Sequence, residues 1–275
     1  MFPLTAPVPM KTTAVLLAAF ALLSSLAPAQ DWAMARLNTS PRHLEWVKVK
    51  HDNRDVNCFI AYPEVKEKAT AVVLIHEIFG LTDWVRGVAD QLAEAGYIAI
   101  APDLLSGAGP NGGGSEALGG PDGVRKVIGS LPPDQITADL NSVVDYVGKL
   151  PAANGKVAVA GFCWGGGQSF RFATNNAGIK AAFVFYGTGP DNAADVTRIA
   201  APVYGFYGGN DNRVDATIPK STELTKAANK TYEPVVYDGA GHGFMRAGEA
   251  PDANEPNKKA RDEAWVRLKG ILQKL

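Results

Sequence analysis

Cysteine is almost missing: Cys58 and Cys163 are the only two in 275 residues. With no second pair, no CxxC and no His/Cys cluster at zinc spacing, a structural metal or a disulfide scaffold is not expected. Charge of one sign is equally scarce. Lys and Arg total 27 against 28 Asp and Glu, the formal net charge is −1, and neither sign forms a long block. Nucleic acid is therefore not an expected partner, because neutralising phosphates takes a concentrated basic face. No run is long enough to cross a bilayer comfortably. The apolar stretch from about Ala14 to Leu26 falls short of the roughly 20 residues a spanning helix needs. What is present is an ordinary globular balance, 46% hydrophobic and 20% charged, with ample material for a core.

That short apolar stretch has a different reading. "MKTTAVLLAAFALLSSLAPAQ" carries Lys11, then the apolar run, then Ala27-Pro28-Ala29. A positive start, a short apolar centre and an A-x-A end describe a secretory signal peptide. Residues 1–29 are expected to be removed, with Met10 as a candidate true start. No cysteine follows the apolar centre, which argues against a lipid-modified lipoprotein and a lasting membrane anchor. Residues 30–275 are then a single exported domain, periplasmic or extracellular. Export exposes thiols to oxidants, so a Cys58–Cys163 bridge is one open reading. Packing of Cys58 as a small hydrophobe in "DVNCFIAYP" is the other.

Along that domain, strand-like runs alternate with helical ones. "HLEWVKVK" (43–50) and "VNCFIAYP" (56–63) flank a turn and predict an antiparallel hairpin at a sheet edge. "TAVVLIHE" (70–77) reads as a strand buried on both faces, and 82–96 as a helix ended by Gly96. Strands follow at 97–104, 156–162, 180–187, 201–208 and 232–239, with helices over 134–149, after Cys163, and over 217–230 and 255–275. About eight strands alternating with helices predict an α/β fold, a mostly parallel sheet covered by helices on both faces. The one low-complexity piece is the Gly-rich 104–123.

"VAVAGFCWGGGQSF" concentrates the chemistry. Gly161-Phe162-Cys163-Trp164-Gly165 is G-x-C-x-G, the cysteine form of the nucleophile elbow. There a strained strand-to-helix turn needs small residues two positions to either side. The helix that follows aims its N-terminal dipole at the sulfur. A thiol of ordinary pKa near 8.5 still benefits from a base. Asp211 in "YGGNDNRVD" and His242 in "YDGAGHGFMR" both follow strands, giving the order nucleophile, acid, histidine of α/β-hydrolases. Asp211 would orient the imidazole and His242 would move protons. Asp215 competes for the acid role but lies farther from its strand. The Trp164 amide and one from the loop at Ile78 are the candidate oxyanion donors. Glu77 interrupts a very apolar strand end, as a functional carboxylate or as half of an ion pair.

"HEIFGL", "APDLL", "GFCWGG", "YGGNDNRVD" and "GAGHGFMR" together resemble the dienelactone hydrolases (carboxymethylenebutenolidases) of the α/β-hydrolase superfamily, over roughly 57–274. The resemblance implies a triad of Cys163, Asp211 and His242. It also implies a Glu77 that helps generate the thiolate when substrate binds, and oxyanion amides at Ile78 and Trp164. Arg246 would hold a substrate carboxylate. Family members that open dienelactones draw a second arginine and a tyrosine from the segment after the fourth strand. Here that segment is the Gly-rich one and offers Arg125.

The expectation is an exported, cofactor-independent thiol hydrolase acting on a small ester or lactone through a thioester. Its alternatives are a broad carboxylesterase, a non-catalytic binding protein on the same scaffold, and a redox role for the two cysteines.

Overall fold

The computed structural model describes residues 31–275, and the leader expected over 1–29 lies outside the described residues. Eight strands form one sheet in the order β1-β2-β4-β3-β5-β6-β7-β8. The edge hairpin is present as β1 (Leu44–His51) antiparallel to β2 (Arg54–Ala61), which runs antiparallel to β4 (Ile98–Pro102). From there the sheet is parallel through β3 (Ala69–Ile75), β5 (Ala153–Phe162), β6 (Ala182–Phe185), β7 (Val203–Gly208) and β8 (Tyr232–Tyr237). β3, β4 and β6 are buried at every position. That is why their sequences are continuous apolar runs rather than alternating ones.

Parallel neighbours need crossovers, and helices supply them. The described residues begin with α1 (Asp31–Thr39), and α2 (Asp83–Glu94) joins β3 to β4. α3 (Pro121–Ile128) and α4 (Pro133–Gly148) lead to β5; α5 (Trp164–Ala173) leads to β6 and α6 (Ala193–Val196) to β7. α7 (Asn212–Asp215) and α8 (Ile218–Ala227) precede β8, and α9 (Phe244–Ala247) and α10 (Glu255–Leu272) close the chain. Because strand residues alternate between faces, the sheet carries two cores. On one face Val72 and Leu74 meet Trp84, Leu92 and Leu268 from α2 and α10. On the other, Val73 and Ile75 meet Val143, Val147 and Phe170 from α4 and α5. Each fully buried Leu, Ile, Val or Phe contributes about 1.5–3 kcal/mol. An exposed ion pair contributes at most about 1 kcal/mol, so the two cores hold the sheet.

The sheet also decides the disulfide question for the folded chain. β2 and β5 are separated by β4 and β3, three spacings or about 14 Å at the usual interstrand distance. A bridge needs α-carbons within about 7 Å. Cys58 and Cys163 are both free thiols, and Cys58 is fully buried. Burial pushes its thiol far above the ordinary range, so it packs as a small hydrophobe.

The Gly-rich segment is ordered from below. Asp103, just past β4, accepts hydrogen bonds from Ser115 N at 2.7 Å, Ser115 Oγ at 2.6 Å and Leu105 N at 3.1 Å. A β-carbon at Gly114 would fall 2.1 Å from Asp103 Oδ2, so the close approach that anchors this loop requires glycine there. Val124 and Ile128 of α3 then pack on Leu105, with Ile78 and Trp164 at the margin of the same cluster.

Candidate active site

The residues singled out from sequence converge on the carboxyl ends of the strands, where open α/β sheets hold their ligands. Glu77 follows β3, Cys163 follows β5, Asp211 follows β7 and His242 follows β8. Cys163 has φ 56° and ψ −117°, a left-handed conformation that costs a non-glycine residue energy and turns its side chain out of the sheet. Its N–H donates to Phe185 O at 3.0 Å, and its carbonyl accepts from Gly166 and Gly167 N. The elbow is therefore pinned on both sides. The flanking glycines are needed for space. A β-carbon on Gly161 would lie 1.9 Å from Gly165 O, and one on Gly165 would lie 2.3 Å from Ile75 O.

His242 links the other two members. Its Nε2 stands 3.1 Å from Cys163 Sγ, and its Nδ1 stands 2.5 Å from Asp211 Oδ2. The hydrogen bond to Cys163, then the one to Asp211, push the imidazole up to about 9 against the opposing effect of burial. Near neutral pH it is thus an imidazolium, the counter-ion a thiolate needs. Asp211 also accepts from Val214 N at 3.4 Å, capping α7. Asp215, the competing acid, sits one turn on with a buried oxygen that no described donor reaches. Burial and the neighbouring Asp211 push its carboxyl up. Asp211 is the one that reaches the histidine.

Ile78, Cys163 and Trp164 line one cavity of about 730 Å³. Trp164 is the first residue of α5, a position whose N–H has no acceptor within the helix and points along its axis. Glu77 lies buried beside this cavity in an ion pair with Arg246, Nε to Oε2 at 2.8 Å. Burial pushes the Glu77 carboxyl up, and Arg246 offsets this only in part. Of the two readings of Glu77, the ion pair is thus present. Arg246 and Arg125 hold their guanidinium carbons 5.3 and 5.2 Å from the centre of the same ring, Phe79. Both line a neighbouring cavity of about 570 Å³ rather than the one lined by Cys163. Arg125 also pairs with Asp122 at 3.2 Å. Among the described residues, no three His, Cys, Asp or Glu side chains converge as metal ligands.

Two residues at this edge escaped the sequence reading. Tyr186, immediately after β6, has φ 41° and packs edge-on to His242 with ring centres 5.1 Å apart. Its buried hydroxyl has no described partner, and burial holds it well above the ordinary range. His76 is fully buried and stacks on Trp164, centres 5.5 Å apart and planes 17° apart. Its Nδ1–H donates to Glu77 O at 2.9 Å. Burial lowers its pKa, so it stays neutral. The signal available for each was a polar ring ending an apolar run.

The comparisons agree with this geometry. The profile of the Dienelactone hydrolase family matches residues 56–275. The chain belongs to the dienelactone hydrolase family. A protein of Methylorubrum extorquens provisionally named carboxymethylenebutenolidase is 31% identical over 240 residues, 82% of this chain and 81% of its own length. One of the same provisional name from Salmonella typhimurium is 31% identical over 226 residues, 78% of this chain and 81% of its own. The crystal structure of a provisionally named dienelactone hydrolase from Klebsiella pneumoniae superposes with a TM-score of 0.74 at 26% identity. That match covers 85% of this chain and 99% of the other. The fold is that of the α/β-hydrolases, and the protein is a hydrolase of the ester and lactone type.

Proposed function

We propose that this dienelactone hydrolase family member is exported as residues 30–275 and opens a lactone or ester through a covalent thioester on Cys163. The observation that carries the reading is His242 bridging Cys163 and Asp211 at hydrogen-bonding distance on both ring nitrogens. The thiolate attacks the carbonyl carbon, and the negative oxygen that forms is held by the N–H groups of Ile78 and Trp164. Collapse breaks the C–O bond. The departing oxygen takes a proton from His242, which then removes one from water as that water attacks the thioester. In a lactone the departing oxygen remains tethered, so the product is a single hydroxy acid or its keto form.

Glu77 and Arg246 add a substrate-dependent step. While the two are paired, the glutamate is occupied. A substrate carboxylate that draws Arg246 away leaves Glu77 as a buried carboxylate with raised proton affinity at the same edge of the sheet as Cys163. This favours substrates bearing a carboxylate near the reacting carbonyl.

The test is kcat/KM of residues 30–275 on an enol-lactone with a free carboxylate and on a neutral aryl ester, with Cys163→Ala as control. Loss of the nucleophile is expected to lower kcat/KM at least about 10³-fold on both. Mass spectrometry of the wild type quenched during turnover is expected to show an acyl adduct on Cys163. Wild-type rates in Cys163→Ala would end the thiol mechanism. A preference for the neutral ester would keep it but remove the role given to Arg246. Secreted protein that does not begin at Gln30 would overturn the proposed leader.

A further inference from the structure

The cavity at Cys163 is much longer than the bond it is proposed to cleave. Its floor is one stripe of α5: Trp164, Gly167, Gln168, Arg171 and, just past the helix end, Thr174 and Asn175. These positions recur every three or four residues, so they share one helix face. From Gln168 onward the stripe is polar although it faces a cavity, while Gly165, Gly166, Phe170 and Ala173 on the opposite side are buried. The far wall comes from the loop after β6 and from α6.

Two side chains in the floor are left incomplete. Gln168 Oε1 and Arg171 Nη1 are buried and have no hydrogen-bond partner among the described residues. Arg171 donates through Nη2 to Pro133 O at 2.9 Å, and no described carboxylate lies within 4 Å of it. Burial lowers its pKa, and the charges of Asp134 and Asp195, neither within ion-pair distance, offset this only in part. Arg198 is already engaged, with Asp195 at 2.8 Å and the Thr174 carbonyl at 3.0 Å. Arg213 at the cavity mouth has no described ion pair, and the exposed Asp191 is the one unpaired carboxylate of the lining. The balance of unpaired charge in the groove is cationic.

We propose that this groove is a second recognition site, which reads an anionic end on an elongated substrate whose carbonyl sits at Cys163, with Arg171 as the anion receptor. The proposal rests on the hydrolase reading above and adds to it a second anionic group, at the far end of the substrate from the reacting carbonyl. Arg171 stands eight residues beyond Cys163, about 12 Å along the helix axis at 1.5 Å per residue. Its side chain leans back toward the helix N-terminus, so the matching chain is about eight carbons long. A carboxylate there accepts from the planar guanidinium fork, and Gln168 bonds a polar group on the way.

The test is calorimetric binding to Cys163→Ala, which requires no turnover. The probes are monomethyl suberate, an ester with one free carboxylate, and its neutral dimethyl counterpart. The expected result is about tenfold or greater preference for the acid ester in Cys163→Ala. That preference is expected to be retained with Arg171→Lys added and lost with Arg171→Gln added. Folding of each variant is checked by circular dichroism. Should Arg171 variants not fold, Gln168→Glu is expected to weaken the acid ester about tenfold relative to the neutral one. Equal binding of the two esters, or a preference that survives Arg171→Gln, would overturn the proposal. The hydrolase reading fails separately, in the turnover assay.

Discussion

At the level of single residues, His242 controls the site because both of its nitrogens are committed. Replacing Asp211 by Asn removes the carboxylate that holds the Nδ1 proton and stabilises the imidazolium, and an amide can present the wrong tautomer. The His242 midpoint is expected to fall from about 9 toward the ordinary value near 6.5. kcat/KM is expected to fall by about 10²–10⁴. Carbon-detected imidazole titration and initial rates check the pair, and an unmoved midpoint would show that Asp211 does not hold the ring. The same raised value makes a stability statement. A histidine that binds its proton more tightly when folded contributes stability fully present below about pH 6.5 and lost as pH rises through about 9. Cys163, Asp211 and His242 were legible in the sequence because each follows an apolar strand beside glycines in hydrolase order. Tyr186 and His76 were not. The position of Tyr186 depends on a left-handed backbone angle and that of His76 on stacking against a residue far along the chain, which a polar ring ending an apolar run does not reveal.

Elements were legible for the same physical reason: burial on one or both faces writes a period into the sequence. All eight strands lie where apolar runs placed them, with ends shifted by a few residues where His76, Glu77 and Asp103 leave the sheet to form the catalytic edge. The Gly-rich segment hid α3, because the contact that orders the loop before it, Asp103 to Ser115, spans twelve positions. The choice between function and ion pair at Glu77 likewise depended on Arg246, which lies 169 residues away. The elbow's composition makes a sharper claim. Since a β-carbon at Gly161 or Gly165 would overlap backbone atoms, Gly161→Ala and Gly165→Ala must displace strand or helix. Each is expected to cost about 1–3 kcal/mol, lowering Tm by about 2–10 °C for a chain of this size. Activity is expected to fall further than stability, because the displacement moves Cys163 from His242. Calorimetry and rates on the same samples read both, and an Ala variant with wild-type Tm would show that the turn has room to spare.

For the whole molecule, the question is what fastens the first described residues to a sheet they do not join. The answer is Asp90 on α2, a carboxylate with no solvent exposure. It accepts from Arg42 Nε at 2.6 Å and Nη2 at 2.8 Å, from Ser40 Oγ at 2.5 Å and from Arg36 Nε at 2.9 Å. Burial alone would push this carboxyl up, but the hydrogen bonds from Arg42 and Ser40 and the two guanidinium charges outweigh it and hold it below its ordinary range. α1 is held on α2 by this buried anion and by the half-exposed pair of Arg36 Nη2 with Glu94 Oε2 at 2.7 Å, with Ala33 and Leu37 packed beneath. Removing the charge while leaving two arginines converging on the site is costly, because breaking one side of a buried pair leaves the other uncompensated. Asp90→Asn is therefore expected to destabilise the protein by about 3–5 kcal/mol at pH 7. The sign of the pH dependence follows from the lowered pKa. The contribution of Asp90 is present above about pH 4, the unfolded carboxyl's range, and is lost as pH falls through the lower folded value. The gap between wild type and Asp90→Asn in urea unfolding should thus be constant from pH 7 to 5 and narrow by pH 3. A gap that stays the same at pH 3 would mean that packing, not the buried anion, holds the N-terminal segment in place.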